Sequence, residues 1–203
     1  MHLFVTGIDT DSGKTVVSAI LCKALRADYW KPVQAGQPRD AETVRMLVND
    51  PTLRIHPEKY ILSTPVSPHA AARADGKSIS LDDFELPRTG NSVVIEGAGG
   101  CLVPLNGKDL MIDLILRFKA PVVVVADLYL GSINHTLLTV EALQCRNIEI
   151  RGIVFNGPRN ADSEHIILDR SGVPCLLRID KEPAIDPQTI EKYATMIRSN
   201  WNG

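Results

Sequence analysis

The 203-residue chain carries 22 Lys and Arg against 24 Asp and Glu, giving a formal net charge of −2 and a pI near 6.2. That length fits a single domain over residues 1–203 with one continuous core, and the lack of a basic excess argues against a phosphodiester backbone as partner. No run reaches the roughly 18 apolar residues of a membrane helix, and the amino terminus leads straight into strand-like sequence, so a cytoplasmic location without membrane or nucleic-acid partners is expected. Cys22, Cys101, Cys145 and Cys175 are scattered, with neither zinc-ligand spacing nor a disulfide pattern, and most are expected in the core.

The first predicted strand, residues 3–6, runs into Gly7-Ile8-Asp9-Thr10-Asp11-Ser12-Gly13-Lys14-Thr15, after which Val17, Ile20, Leu21, Ala24 and Leu25 recur at helical spacing. A strand, a glycine-containing loop and a helix in this order make a phosphate cradle. Loop N–H groups turn inward, and the positive end of the helix dipole faces the anion. Gly7, Asp9, Thr10, Asp11, Ser12, Gly13, Lys14 and Thr15 are therefore candidate nucleotide-binding residues. The Lys14 ammonium suits the β- and γ-phosphates of ATP, and the Thr15 hydroxyl suits Mg²⁺. The loop departs from G-x-x-x-x-G-K-[ST] because Gly7 lies one residue early and Ile8 stands at the usual glycine position.

A second strand is predicted over residues 29–33. Lys31 within it is costly to bury unless an anion lies nearby; the alternative is an ammonium that reaches solvent. Asp40 opens a predicted helix, as a cap or as a metal ligand. Residues 51–68, broken by Pro51, Pro57, Pro65 and Pro68, read as a long connection with short helical pieces.

The third strand, residues 93–96, ends on Glu96 ahead of Gly97-Ala98-Gly99-Gly100. An acidic residue at this point of a phosphate-loop enzyme meets Mg²⁺ directly or through water, and glycines such as Gly99 let the backbone approach a ligand; the alternative is a solvated glutamate on a glycine-rich turn. Further strands are predicted at 122–126, 150–155 and 174–177, and helices at 132–144 and 162–171. A core stripe of Ile190, Tyr193, Ala194 and Ile197 lies near the carboxyl end.

Ser132 and Asn134 stand at a helix start that can hold a carboxylate or be capped by them. Asn156 can pair with the adenine edge or form a turn before Gly157-Pro158. His69 and His135 receive no catalytic role, because phosphoryl transfer needs positioning and charge neutralisation more than a strong base. Alternation of strands and helices from end to end predicts an α/β fold. Its sheet is doubly wound and mostly parallel, with helices on both faces, as in P-loop NTPases.

Gly7 to Thr15, Lys31-Pro32-Val33-Gln34, Asp40, Ser67-Pro68-His69, Glu96 to Gly100, Leu130-Gly131-Ser132-Ile133-Asn134-His135 and Asn156 together resemble the dethiobiotin synthetases over nearly the whole chain. The resemblance implies a homodimeric ligase that builds the ureido ring of dethiobiotin from 7,8-diaminononanoate, CO₂ and ATP with Mg²⁺. It implies catalytic roles for Lys14, Lys31 and Thr10, Mg²⁺ on Thr15, Asp40 and Glu96, and nucleotide contacts that extend to Glu96, Gly99 and Asn156. The diamine would lie near Lys31, Ala35 and Gly99, with Asn134 serving the neighbouring subunit. Two segments depart from the family. Ala35 stands where a Ser or Thr is usual, and Leu177-Arg178-Ile179-Asp180 replaces a Gly-x-Ile-Pro-like segment along the base. Partitioning or positioning ATPases and non-catalytic nucleotide sensors share this fold, but the former carry an early loop lysine where this chain has Asp9.

Overall fold

The computed structural model describes residues 1–201. Its elements run β1 (His2–Gly7), α1 (Lys14–Leu25), β2 (Asp28–Trp30), β3 (Val33–Ala35), α2 (Asp40–Val48), β4 (Ile55–His56), β5 (Tyr60–Leu62), α3 (Pro68–Ala74) and a 3-10 turn at Leu81–Asp83. They continue with β6 (Val93–Gly100), α4 (Met111–Phe118), β7 (Val122–Asp127), α5 (Ser132–Gln144), β8 (Ile150–Asn156), α6 (Ala161–Ser171), β9 (Cys175–Ile179) and α7 (Pro187–Trp201). Seven strands form one sheet in the order β4-β2-β6-β1-β7-β8-β9, with parallel pairing throughout.

Each central strand feeds two cores because successive side chains point to opposite faces. Leu3, Val5, Val94, Val123 and Val125 pack with α1, α2 and α7 on one side. Phe4, Val93, Ile95, Val122 and Val124 pack with apolar residues of α3, α4, α5 and α6 on the other. The expected two-faced parallel architecture is therefore present. β1 lies between β6 and β7, so the loops leaving these three strands share one rim, where open α/β sheets collect ligands.

Three local expectations are corrected. The strand expected over residues 29–33 is split at Pro32, which has no N–H for the ladder. Asp28–Trp30 joins the main sheet, whereas Val33–Ala35 pairs with Tyr60–Leu62 in a separate two-stranded sheet. The connection over 51–68 accordingly holds strands β4 and β5 instead of helical pieces. Helix α4 was not expected, although Met111, Ile112, Leu114, Ile115 and Phe118 bury one face of it and Asp113 accepts the N–H of Leu110 at 2.8 Å. Among the cysteines, Cys22 and Cys101 are buried and Cys145 and Cys175 exposed, all four free. Among the described residues no helix is long and apolar enough to cross a membrane.

Candidate active site

The loop between β1 and α1 closes on itself. Gly13, at the N-cap of α1, has φ +97°, a conformation in which a side chain is strained, and a Cβ there would lie 2.3 Å from the Asn156 amide nitrogen. That amide donates to the Ser12 carbonyl at 2.9 Å. Asn156 thus buttresses the loop from the end of β8. At the other end of the loop, a Cβ on Gly7 would meet Ser12 Oγ at 2.1 Å. The Lys14 ammonium folds back over the loop onto the carbonyls of Asp9 (2.8 Å) and Thr10 (2.7 Å).

Opposite the loop, Lys31 sits in the break between β2 and β3 and is only 5% exposed. Its ammonium contacts Asp40 Oδ2 at 2.5 Å, Glu96 Oε1 at 2.9 Å and the Gly97 carbonyl at 3.3 Å. Glu96 Oε1 also accepts the Thr15 hydroxyl at 2.9 Å, and that hydroxyl lies 3.3 Å from Asp40 Oδ1. Glu96 is not on a solvated turn: it is 1% exposed, and its second oxygen accepts the Tyr29 hydroxyl at 3.0 Å. Asp40 is not the helix cap either. Arg39 occupies that position, and Asp40 is the first residue of α2, its carboxylate turned to Lys31.

The electrostatics follow from this packing. Burial would push the Glu96 carboxyl up, but the Lys31 ammonium, its hydrogen bond and the charge of Lys14 outweigh that and hold it below the usual carboxylate range. Burial likewise opposes the charge on Lys31, and Glu96 and Asp40 more than offset it. Lys14 has less compensation. Burial is its largest influence; Glu96 opposes it, Lys31 adds to it, and the Lys14 ammonium falls to about 8. The charge of Lys31 is thus one of the influences that lower Lys14.

A cleft of about 520 Å³ opens over these groups, lined by Thr10, Asp11, Gly13, Lys14, Thr15, Lys31, Gln34, Ala35, Asp40, Glu96 and Gly99. Its far wall is apolar or uncharged, with Pro65, Val66, Ala98 and Val103. Asp9 lies outside the cleft lining, its carboxylate accepting the Thr10 N–H at 2.6 Å. Asn134 is exposed on the first turn of α5 and also lies outside the cleft. Arg178 spans the end of β9, donating to the carbonyls of Gly157 and Ile179 at 3.1 Å each and pairing with Glu164 at 3.0 Å. In the sequence alone, Tyr29, Gln34 within Lys31-Pro32-Val33-Gln34 and the Pro65–Val66 wall have no individual role assigned to them. Tyr29 looks like a strand residue and Gln34 lies just past the strand expected over 29–33, and only the fold turns their polar ends toward Glu96 and Asp40.

The donor set suits Mg²⁺. That ion binds through one or two carboxylates plus substrate phosphates and water more often than through an all-protein cage, and here a hydroxyl and two carboxylates meet beside the phosphate loop. Among the described residues no group of three or more His, Cys, Asp or Glu offers a metal cage.

A family model described as an AAA domain matches residues 1–189. The ATP-dependent dethiobiotin synthetase BioD of Cytophaga hutchinsonii is 55% identical over 200 residues, covering 98% of this chain and 97% of the relative. The chain belongs to the dethiobiotin synthetase family. The synthetase of Rhodopseudomonas palustris is 49% identical, covering 99% of this chain and 96% of its own length. Among solved structures, the MinC:MinD cell division complex of Aquifex aeolicus matches with TM-score 0.64 at 10% identity, over 100% of this chain and 96% of that one. The cell division ATPase MinD of Pyrococcus furiosus matches with TM-score 0.55 at 14% identity, over 99% and 98%. These two likenesses establish the shared fold alone; the family's own members are the synthetases.

Proposed function

We propose that the chain, as one domain, closes a cyclic urea on 7,8-diaminononanoate with CO₂ and ATP, giving dethiobiotin, ADP and phosphate. One amine of the substrate adds to CO₂ and loses a proton, forming a carbamate. A carbamate oxygen then attacks the γ-phosphorus, ADP leaves, and a carbamic-phosphoric anhydride results. The second amine attacks the carbamoyl carbon, phosphate leaves, and the ring closes.

The observation that carries this reading is the convergence of the Lys31 ammonium, Thr15, Asp40 and Glu96 beside the phosphate loop, in a chain 55% identical to a named synthetase. Carbamate and triphosphate are both anions, so bringing them together needs fixed positive charge more than a base. Lys14 and Lys31 supply it from two sides, with Thr10 and the loop N–H groups on the phosphates. Pro65, Val66, Ala98 and Val103 offer an uncharged wall for the methylene chain. Thr15, Asp40 and Glu96 would hold Mg²⁺, which when bound offsets phosphate charge. Asn156 and Gly99 lie toward the nucleotide, and Ala35 lies beside the acceptor. Without a hydroxyl at position 35, the acceptor depends more on Lys31.

Incubation with the diamine, ¹⁴C-bicarbonate, Mg²⁺ and ATP is expected to yield a labelled cyclic urea in step with ADP. ATP hydrolysis that leaves the label in bicarbonate would overturn the assignment. Repeating it with the other nucleoside triphosphates reads the effect of Arg178. We also propose a cytoplasmic homodimer, because Leu130, just ahead of α5, is fully exposed, as are Ile133 and Leu138 on α5 to a lesser degree, and because Asn134 lies outside its own cleft. Sedimentation at micromolar concentration should give twice the chain mass; a monomer would contradict this.

A further inference from the structure

We infer that Gln34 is a positioning residue for the divalent ion. It fixes Asp40 against Thr15 and Glu96, with the Arg39–Glu58 pair as a second strut. The inference rests on the reading of Thr15, Asp40 and Glu96 as the ion's ligands.

Gln34 is 3% exposed, and both ends of its buried amide are paired, as burial of such a group requires. Its Oε1 accepts the backbone N–H of Asp40 at 3.1 Å, and its Nε2 donates to the Gly36 carbonyl at 3.3 Å. The first N–H groups of a helix have no partner within it, and Arg39 at the N-cap supplies no side-chain bond to them. A side chain from β3 therefore anchors the first residue of α2 from outside. That residue is the one whose carboxylate meets Thr15 and Lys31.

The second strut works from the preceding residue. Arg39 holds both carboxylate oxygens of Glu58, through Nε at 3.1 Å and through Nη2, and the Glu58 side chain is 3% exposed. The next two residues, Lys59 and Tyr60, donate their N–H groups to the Pro32 carbonyl at 2.9 and 3.0 Å. A closed circuit thus runs from Pro32 through Gln34 to Asp40, and returns through Arg39, Glu58 and Lys59. Lys31 is the residue immediately before that circuit. The catalytic ammonium and the Asp40 carboxylate are carried on one braced unit. Residues that orient metal ligands from behind commonly change metal affinity when removed.

The test counts Mn²⁺ by electron paramagnetic resonance over the protein, with and without ADP, in Gln34→Met, Asp40→Asn and the double variant. Methionine keeps the length and unbranched shape of glutamine and removes both hydrogen bonds. Gln34→Met is expected to weaken Mn²⁺ binding on the order of tenfold where Asp40 is intact, and by less than about twofold where Asp40 is already asparagine. Equal weakening in both backgrounds, or none in either, overturns the inference. Should Gln34→Met fail to fold, Glu58→Gln opens the same circuit at its far side and carries the same cycle. A chain that binds Mn²⁺ and ADP but forms no cyclic urea sinks the functional reading while the cycle still decides the role of Gln34. A chain that forms the urea with an additive cycle sinks only this inference.

Discussion

Replacing Lys14 with methionine is expected to lower turnover at least about a hundredfold, the scale on which a lost charged donor to a transferring group is felt. The same change should flatten the pH dependence of ATP affinity. Among the described residues the Lys14 ammonium of the free protein donates to the Asp9 and Thr10 carbonyls, and burial brings it down to about 8. Phosphate oxygens favour the charged form, so binding raises the proton affinity of Lys14. ATP affinity should then be level below the pH at which Lys14 titrates and fall by about tenfold per pH unit above it. Calorimetry in buffers of different ionisation enthalpy would show proton uptake on binding above pH 8 in the parent and none in Lys14→Met. Stability moves the opposite way. A lysine depressed on folding binds fewer protons in the native than in the unfolded state, so the parent gains stability as pH rises from about 8 toward the ordinary lysine range. Methionine removes that buried charge, and the variant should melt no lower than the parent at pH 7. An active Lys14→Met, or an ATP affinity in the parent that ignores pH, would overturn the role.

The phosphate loop, the parallel sheet and the acidic end of β6 are legible in sequence because each is a local pattern. A strand, a loop with Gly13-Lys14-Thr15 and a helix lie within one stretch of chain, and buried parallel strands appear as unbroken runs such as Val122 to Val125. What escapes is set by contacts between distant segments. Pro32 announces a break, but only the pairing of Val33–Ala35 with Tyr60–Leu62 shows where the displaced chain goes. That displacement is what turns Gln34 toward Asp40. Asp40 itself looks equally like a cap, since the residue that makes capping unnecessary precedes it by six positions on another element. Tyr29 is an ordinary strand aromatic until β2 is laid beside β6 and its hydroxyl reaches Glu96. Helix α4 has its apolar spacing in plain view, together with Asp113 near its start; it lies between β6 and β7, where the chain reads as loop.

Lys31→Met is expected to abolish turnover and, unlike Lys14→Met, to destabilise the fold. The Lys31 ammonium is the partner of two carboxylates, one of them Glu96 at 1% exposure. Removing one side of such a buried pair leaves an uncompensated charge, which costs about 3–5 kcal/mol. For a domain of this size that lowers the melting temperature by about 10 °C. The sign with pH identifies the cause. With Lys31 present, the Glu96 carboxyl is held below the usual range, so its contribution to stability is full at neutral pH and is lost on acidification. Without Lys31, burial is left to raise it, the native state takes up the proton first, and the variant is relatively stabilised as pH falls. The gap in melting temperature between parent and variant should therefore be wide at pH 7.5 and narrow at pH 5. Adding Glu96→Gln to Lys31→Met removes the stranded charge; its amide oxygen still accepts one of the Tyr29 and Thr15 hydroxyls and its NH₂ donates to the other, which turns to accept, so the double variant should recover most of the stability with no recovery of turnover. A gap of the same width at both pH values, or a double variant as unstable as the single one, would mean that Lys31 does not neutralise Glu96, and the clamp on two anions would lose its second half.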